Sequence, residues 1–385
     1  MQPVKHIVYC IAATYNSGGM ERVLANKANY LVRKGYEVSI VTTDQQGKPS
    51  YFELDGRIRQ YDLGVNYVEN GEKGLVRKIG SYLAKQRTHR LRLTRLLKSM
   101  RADVVVSMFD HEVSFLYGIP DGSMKVLEIH FSRFKRLQYG RTGVWGMVDR
   151  WRSDQDRKMA QRYDRFVVLT EEDKGYWGAM PNITVLPNAN SFVPSGQANL
   201  TAKRAIAVGR FDYQKGFEQL IAIWATVHRT HPDWQLDIFG RGPLKEAHQK
   251  QIDDLQLNGI VRLCPPEKNI EQEYLRSSFL VMTSRYEGLP MVLLEAQACG
   301  LPLVSYACKC GPRDVIKPGK NGFLIDEGDS VTFARKVGQL IEDDELRQRM
   351  GNAGQQMARR FSEDNVMAGW IDLFHSGKNH SNGRI

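Results

Sequence analysis

The segment FLVMTSRYEGLPMVLLEAQACGLPLVSY, residues Phe279 to Tyr306, contains two apolar runs with a helical pattern between them. FLVMTS predicts a buried strand, and the loop after it carries Glu287. Pro290 follows that loop and is expected at the first position of a helix, where proline is tolerated. The second run, LPLVSY, predicts another strand. Strand, helix and strand in this order are typical of a βαβ unit in a parallel sheet.

Runs of the same kind recur along the 385-residue chain and alternate with longer helical patterns. They are apolar throughout, which predicts parallel sheets with helices on both faces. The fold class is therefore predicted as α/β, with two Rossmann-like domains, because the chain is too long for one ordinary core. The predicted strands are HIVYCIAA, EVSIVTT, DVVVSMF, KVLEIHF, RFVVLT, RAIAVGR, QLDIFG, FLVMTS and LPLVSY.

A proline-rich segment, residues 181–204, separates the two sets of strands. Its three prolines and its polar residues are typical of a linker, so we predict an N-terminal domain over 1–190 and a C-terminal domain over 200–361. The apolar spacing at 362–378 predicts a helix that packs back on the first domain. Ligands of such sheets bind at the carboxyl ends of strands, which predicts a site in a cleft between two facing domains.

The positive charge is concentrated in the first half of the chain. The net charge is +11, and residues 1–195 hold 30 Lys and Arg against 20 Asp and Glu. Residues 73–101 contain ten basic residues and no acid, and residues 133–152 add aromatic side chains. Such segments bind anionic membrane surfaces, and a solvated basic helix over the core is the alternative. No nucleic-acid recognition motif of the usual kinds is present, so we expect no nucleic acid partner. The aromatic residues are Phe134, Tyr139, Trp145 and Trp151.

Composition and cysteine usage indicate a folded cytoplasmic protein. A hydrophobic share of 42% and a charged share of 25% exclude disordered and fibrous classes. The five cysteines are few and lack the spacing of a zinc site, so we expect reduced thiols. No apolar run approaches the about 18 residues of a membrane span. We therefore expect a cytoplasmic protein that is peripheral on the inner face of the cell membrane.

Two loops carry residues suited to phosphate binding. Gly18 and Gly19 follow a predicted strand and open a helical pattern, so a ligand could approach the backbone there. A tight turn without a ligand is the alternative. Arg210 and Lys215 occupy the corresponding loop of the second half, where two cations would neutralise a diphosphate. Two solvated surface cations are the alternative reading of that pair.

The helix start after Pro290 offers a third phosphate site. The backbone amides of Met291, Val292 and Leu293 are expected to be available to an anion. Glu287 and Glu295 flank them, and carboxylates that accept hydrogen bonds from hydroxyls suit a molecule with a sugar at each end of a diphosphate. The alternative is that Glu287 caps the helix and that Glu295 is a partly exposed helical residue.

Together these motifs resemble the family 4 retaining glycosyltransferases of the GT-B fold, and they do so in order over almost the whole chain. The matching stretches are SGGMERVL at the start, VGRFDYQKG, IFGRGP, EGLP and LLEAQACGLPLV. Each motif alone is weak, whereas the set is specific.

The resemblance implies a role for each matching residue. Arg210 and Lys215 would hold the donor diphosphate, Glu295 the ribose hydroxyls, and Glu287 would face the transferred sugar. Gly19 would approach the phosphate from the first domain, and Gly242 would shape a loop near the nucleotide. Gly18 and Gly288 are implied as donor-binding residues. His130, at the end of a first-domain strand, matches a histidine near the donor sugar, and a structural histidine is the alternative. The residues with implied catalytic roles are Glu287, Arg210, Lys215 and His130, and those with donor-binding roles are Gly18, Gly19, Gly242, Gly288, Met291, Val292, Leu293 and Glu295.

The implied reaction moves a hexose or N-acetylhexosamine from a nucleotide diphosphate sugar to a saccharide acceptor, with UDP favoured over GDP. Bacterial members of this kind build polysaccharides and commonly use lipid-linked, polyprenyl acceptors. We expect no metal, because Asp154 and Asp156 read as surface charge on a helix. A sugar-nucleotide epimerase of the same fold and a non-catalytic sugar-nucleotide-binding protein are the alternatives.

Overall fold

The computed structural model describes residues 4–67, 75–136 and 143–376. Contacts divide the chain into two units. The first is drawn from the segments Met1–Leu169, Lys174–Pro187 and Val366–Ile385, and the second from Thr170–Asp173 and Asn188–Asn365. Each unit contains one parallel sheet with helices around it, so the predicted α/β class is confirmed.

The first unit is built on a seven-stranded parallel sheet with the order β3-β2-β1-β4-β5-β6-β7. Its central strands are fully buried because helices cover both faces of the sheet. The strands are β1 (His6–Ile11), β2 (Glu37–Thr42), β3 (Arg59–Asp62), β4 (Val104–Ser107), β5 (Met124–Glu128), β6 (Arg165–Val168) and β7 (Ile183–Val185).

The second unit is built on a six-stranded parallel sheet with the order β10-β9-β8-β11-β12-β13. Its core includes the buried rings of Trp224, Phe279 and Phe333. The strands are β8 (Arg204–Val208), β9 (Gln235–Phe239), β10 (Val261–Cys264), β11 (Phe279–Met282), β12 (Leu303–Tyr306) and β13 (Gly322–Ile325).

The described residues contain twelve α-helices, the last three of which follow the final strand, β13. None of them is both long enough and apolar enough to cross a membrane. They are α1 (Gly19–Arg33), α2 (Leu75–Met100), α3 (Gly143–Ala160), α4 (Glu171–Trp177), α5 (Phe217–Thr230), α6 (Lys245–Asp254), α7 (Ile270–Leu275), α8 (Met291–Ala298), α9 (Pro312–Val315), α10 (Ser330–Glu342), α11 (Asp344–Ala358) and α12 (Glu363–Ser376).

All nine predicted strands are present, and the four strands that the sequence did not predict are β3, β7, β10 and β13. These four are the edges of the two sheets. Natural edge strands are short and carry polar residues, and β3, β7 and β10 are only partly buried, so their apolar signal is weak. The strand β3, with the sequence RQYD and mostly exposed side chains, shows this most clearly. Strand β13 is mostly buried, but its sequence GFLI has only three large apolar residues and is too short to stand out as a run.

The predicted boundaries need correction at the linker and near the C terminus. The segment 181–204 is not all linker, because β7 lies inside it and β8 begins at Arg204. The helix predicted over 362–378 is α12, which ends at Ser376, and residues 377 and 378 lie outside the described residues. Helix α12 packs on the first unit, where the Tyr36 hydroxyl lies 3.1 Å from His375 Nε2 and Lys27 Nζ lies 3.7 Å from the Trp370 ring centroid.

Each sheet has a point where the strand order reverses. In the second sheet β8 lies between β9 and β11, so the chain leaves β8 towards one edge and later returns to β11 on its other side. In the first sheet β1 lies between β2 and β4 in the same way. The loops beyond such a pair of strands diverge and leave a crevice at their carboxyl ends, which is the usual ligand site of open α/β sheets.

Candidate active site

An ion pair connects the two loops at the reversal point of the second sheet. Lys215 follows β8 and Glu287 follows β11, and their Nζ and Oε1 atoms are 2.6 Å apart. The lysine side chain is 14% exposed and the glutamate 7%, so solvent screens this pair only weakly. The structure thus brings together two of the predicted catalytic residues, and the solvated-cation alternative is wrong for Lys215.

Gln214 holds the two loops in register. Its side-chain Nε2 donates to the backbone carbonyl of Tyr286 at 2.9 Å. Its backbone carbonyl accepts from the Arg285 amide at 2.8 Å. The hydroxyl of Thr283 donates to the carbonyl of Gly216 at 3.0 Å. These bonds fix the backbone on both sides of the Lys215 ammonium. The sequence motif contained Gln214, but a glutamine in a loop gives no sign of the carbonyl that it will bind.

Arg210 has a different environment from Lys215. Its side chain is 72% exposed, and its guanidinium forms an ion pair with Asp212 at 2.9 Å. Asp212 also accepts from the Gln214 amide at 3.1 Å. The exposure of Arg210 agrees with the alternative of a solvated surface cation. The same loop also carries Lys215.

The start of α8 differs from the prediction in two respects. Pro290 precedes the helix as its N-cap residue, with a ψ of 102°, and is not the first helical residue. The amide of Leu293 donates to the Pro290 carbonyl at 3.0 Å, so, contrary to the prediction, it is not available to an anion. The geometry therefore leaves Met291 and Val292 as the candidate amide donors of this helix start.

Glu295 is buried inside the second unit. It is 6% exposed, and its Oε2 accepts from the hydroxyl of the fully buried Tyr274 at 2.9 Å. The alternative of a partly exposed helical residue is therefore wrong. A buried carboxylate needs polar partners, and Tyr274 is one of them. No motif in the sequence points to Tyr274.

Two glycines after β9 allow the loops beyond β8 and β9 to pack backbone against backbone. A Cβ atom on Gly240 would lie 1.8 Å from the carbonyl oxygen of Gly209, and one on Gly242 would lie 2.4 Å from that of Phe211. Neither distance is sterically possible, and the obstructing atoms belong to the backbone. Gly242 therefore shapes the loop that carries Arg210.

In the first unit, Gly18 is the N-cap residue of α1 and Gly19 is its first residue. The carboxylate of Glu21 lies against this turn, because a Cβ atom on Gly18 would be 2.2 Å from Glu21 Oε2. Burial raises the pKa of Glu21, whereas its own backbone amide and the Asn16 side chain lower it by a smaller amount. This acid at the helix start is a feature that the glycine pattern did not reveal.

His130 follows β5 and lies beside a buried ion pair. Its Nε2 is 3.0 Å from Glu128 Oε1, and the Glu128 carboxylate also pairs with the Lys27 ammonium. Burial alone would raise the pKa of Glu128, but Lys27 and His130 outweigh burial and hold it at about 2. This contact gives His130 a charged partner within the first unit.

The acids of α3 are not both surface charge. The Asp154 side chain is 67% exposed, but Asp156 is 7% exposed, so the expectation was wrong for Asp156. Residues two apart on a helix point in different directions, which explains the contrast. Among the described residues, no group of three His, Cys, Asp or Glu side chains is arranged to hold a metal ion.

Comparison with known proteins identifies the family. The profile described as Glycosyltransferase Family 4 matches residues 17–189, and the profile described as Glycosyl transferases group 1 matches residues 190–357. The chain is similar to the amylovoran biosynthesis glycosyltransferase AmsD of Erwinia amylovora, with 27% identity over 94% of this chain and 97% of that protein.

A second relative is the Campylobacter jejuni α-1,4-N-acetyl-D-galactosaminyltransferase that is named for a GalNAc-containing, undecaprenol-linked acceptor. It is 24% identical over 96% of this chain and 98% of its own. Among solved structures, Staphylococcus aureus TarM in a complex that includes UDP has a TM-score of 0.77 and 17% identity, and the match covers 96% of this chain and 99% of TarM. The two profiles together span both units, and the fold agrees with that of GT-B enzymes. The chain therefore belongs to glycosyltransferase family 4 and is a glycosyltransferase.

Proposed function

We propose that this enzyme transfers a hexose or N-acetylhexosamine from a UDP-sugar to a saccharide acceptor, with retention of the anomeric configuration, in bacterial glycan or polysaccharide biosynthesis. The observation that carries the proposal is the Lys215–Glu287 pair at the reversal point of the second sheet. The pair supports the proposal because an ammonium group suits a diphosphate, a carboxylate suits sugar hydroxyls, and the two groups lie 2.6 Å apart.

The chemistry of the donor is proposed to be mainly electrostatic. Lys215 and Arg210, with the amides of Met291 and Val292, stabilise charge as it develops on the leaving diphosphate. Glu287 accepts hydrogen bonds from the transferred sugar, and the buried Glu295 accepts them from the ribose. The acceptor hydroxyl attacks the face from which the diphosphate leaves, and a leaving phosphate oxygen takes its proton.

The proposed donor and acceptor are supported by what the related proteins are named for or contain. The TarM structure contains UDP, and the Campylobacter relative is named for N-acetylgalactosamine transfer to an undecaprenol-linked glycan. We therefore propose a UDP-sugar and a polyprenyl-linked acceptor. We propose no metal requirement, since Lys215 and Arg210 supply positive charge at the loops that would meet the diphosphate.

A coupled assay of UDP release tests the proposed reaction. UDP-sugars are incubated with and without polyprenyl-diphosphate-linked saccharides, in the presence of EDTA or of magnesium. We expect UDP release that depends on the acceptor and is unchanged by EDTA. Interconversion of the UDP-sugar without an acceptor would indicate an epimerase instead, and activity restored only by magnesium would contradict the metal-free mechanism.

We further propose that one face of α2 contacts an anionic membrane on the cytoplasmic side. Leu83 and Leu91 are exposed by 63% and 62%. Positions 83, 87, 90 and 91 fall on one side of the helix, which places the exposed Arg87 and Arg90 between the two leucines. An apolar pair with interleaved cations is typical of an interfacial helix. Lys73 and Tyr139, which the sequence prediction included, lie outside the described residues.

Sedimentation with liposomes tests this membrane contact. Binding to vesicles that contain phosphatidylglycerol should exceed binding to phosphatidylcholine vesicles, because each basic residue near an anionic surface contributes about 1 kcal/mol. The double variant Arg87→Gln/Arg90→Gln should lose most of the difference, while Lys336→Gln, on α10 of the second unit, serves as the control. Equal binding to both vesicle types would remove the proposal.

A further inference from the structure

The first unit contains a cavity that none of the proposed roles uses. It lies beyond the carboxyl end of β4, between α2 and α3, and its volume is about 610 Å³. This is within the range of about 300–1,000 Å³ that is usual for small-ligand sites. Its lining includes Tyr82, Phe109, Asp110, Trp151, Gln155 and Asp156.

Two aromatic side chains form walls of the cavity. Trp151 of α3 is 62% exposed and Tyr82 of α2 is 42% exposed, although both rings are large and apolar. Gln86 fixes Tyr82, because its Nε2 donates to the Tyr82 hydroxyl at 2.9 Å and to the His111 carbonyl at 3.0 Å. An exposed, positioned aromatic ring beside a cavity is suited to stacking on a ligand.

Carboxyl and amide groups line the same cavity. The Asp110 side chain is 19% exposed and accepts from the His111 amide at 2.8 Å, and Asp156 of α3 is buried. Gln155 adds an amide to this lining. Behind Asp110, the fully buried Glu112 accepts from the Ser107 hydroxyl at 2.5 Å. Burial, and then the neighbouring Asp110, raises the pKa of Glu112 to about 8, so this carboxyl adds little negative charge at pH 7.

The backbone at the cavity is strained. Phe109 has a φ of 62°, a left-handed conformation that bulky residues rarely adopt and that costs of order 1–3 kcal/mol. Its amide donates to the Ser107 hydroxyl at 3.2 Å, and its ring meets that of Phe131 edge to face at 4.9 Å. These contacts maintain a costly turn immediately before Asp110, a combination that clusters at functional sites.

We propose that this cavity binds one sugar residue of the saccharide acceptor, with Trp151 and Tyr82 stacking on the sugar ring and Asp110, Gln155 and Asp156 binding its hydroxyls. The inference rests on the proposed function and assigns the acceptor a binding site within the first unit. Aromatic faces contact the C–H groups of a sugar, while carboxylate and amide groups select its hydroxyls.

Other ligands fit the cavity less well. A diphosphate or an anionic lipid headgroup would meet two aspartates, Asp110 and Asp156, in a lining that contains one arginine, Arg152. Arg87 and Leu91 of α2, five and nine positions after Tyr82, project to the far side of the helix and do not line the cavity. A neutral, hydroxyl-rich ring therefore matches the lining better than a lipid does.

Saturation-transfer-difference NMR tests the proposal directly. The probes are the methyl α-glycosides of glucose, galactose, N-acetylglucosamine and N-acetylgalactosamine, each added to the full chain. We expect at least one to bind the wild type and to bind Trp151→Ala about tenfold more weakly. Met147→Ala is the matched control, because Met147 is a 56% exposed apolar residue of α3 that does not line the cavity. Asp110→Asn should also weaken binding.

Several outcomes would overturn the inference. It fails if no glycoside binds the wild type, if Trp151→Ala binds as tightly as Met147→Ala, or if Trp151→Ala loses vesicle binding but keeps glycoside binding. The UDP-release assay separates this failure from that of the proposed function. Glycoside binding at Trp151 without acceptor-dependent UDP release would contradict the proposed reaction alone, while transfer with an unchanged acceptor KM in Trp151→Ala would contradict the cavity alone.

Discussion

Lys215→Ala is expected to lower kcat by about 10²–10³-fold, the range for loss of one preorganised group that stabilises transition-state charge. The ammonium is held 2.6 Å from Glu287, so it is already positioned when the donor arrives. Its attraction to the diphosphate grows as the glycosidic bond breaks, and such an interaction acts on turnover more than on ground-state binding. The KM for the acceptor should therefore change little.

The structural effect of this change must be separated from the catalytic one. Removing Lys215 leaves the Glu287 carboxylate buried without its cation, which is costly by itself. The double variant Lys215→Met/Glu287→Gln removes both charges, so it should unfold at a temperature closer to that of the wild type while remaining as inactive as Lys215→Ala. Lys203→Ala is the control, because Lys203 is an exposed lysine of the same unit that pairs with Asp233. Equal losses in kcat and in acceptor affinity would argue against the assigned role.

The interior of the fold could be predicted from the sequence, and its edges could not. A strand buried on both faces must be apolar throughout, and each of the nine such runs forms a strand. The edge strands β3 and β7 are short and only partly buried, so their residues carry no such requirement. The predicted linker, residues 181–204, is too long for the same reason, because it includes β7.

The residues of the site that belong to sequence motifs could be predicted. Lys215 and Glu287 were selected from separate stretches, and the structure places them in contact. Their supporting partners could not be predicted, because Gln214 and Tyr274 act through a single carbonyl or carboxylate that only the folded chain brings near. The prediction that the Leu293 amide binds an anion is wrong for a local reason, because that amide donates to the Pro290 carbonyl at the start of α8.

Glu295→Ala is expected to abolish the stabilisation of the protein by its nucleotide. A ligand present at one hundred times its Kd stabilises a folded protein by about 2.7 kcal/mol. If the buried Glu295 carboxylate accepts hydrogen bonds from the ribose, removing it eliminates a charged partner of two hydroxyls. Tyr274→Phe is the matched control, because it removes the hydroxyl bonded to Glu295 at 2.9 Å but leaves the carboxylate in place.

The most direct test is thermal unfolding with UDP, GDP, ADP and TDP at equal concentrations, with and without EDTA, on the wild type, Glu295→Ala and Tyr274→Phe. We predict that UDP raises the Tm of the wild type more than the other nucleotides do, that EDTA leaves this shift unchanged, and that Tyr274→Phe retains it while Glu295→Ala loses it. An equal UDP shift in Glu295→Ala, or no shift with any nucleotide, would contradict a nucleotide-sugar site in the second unit.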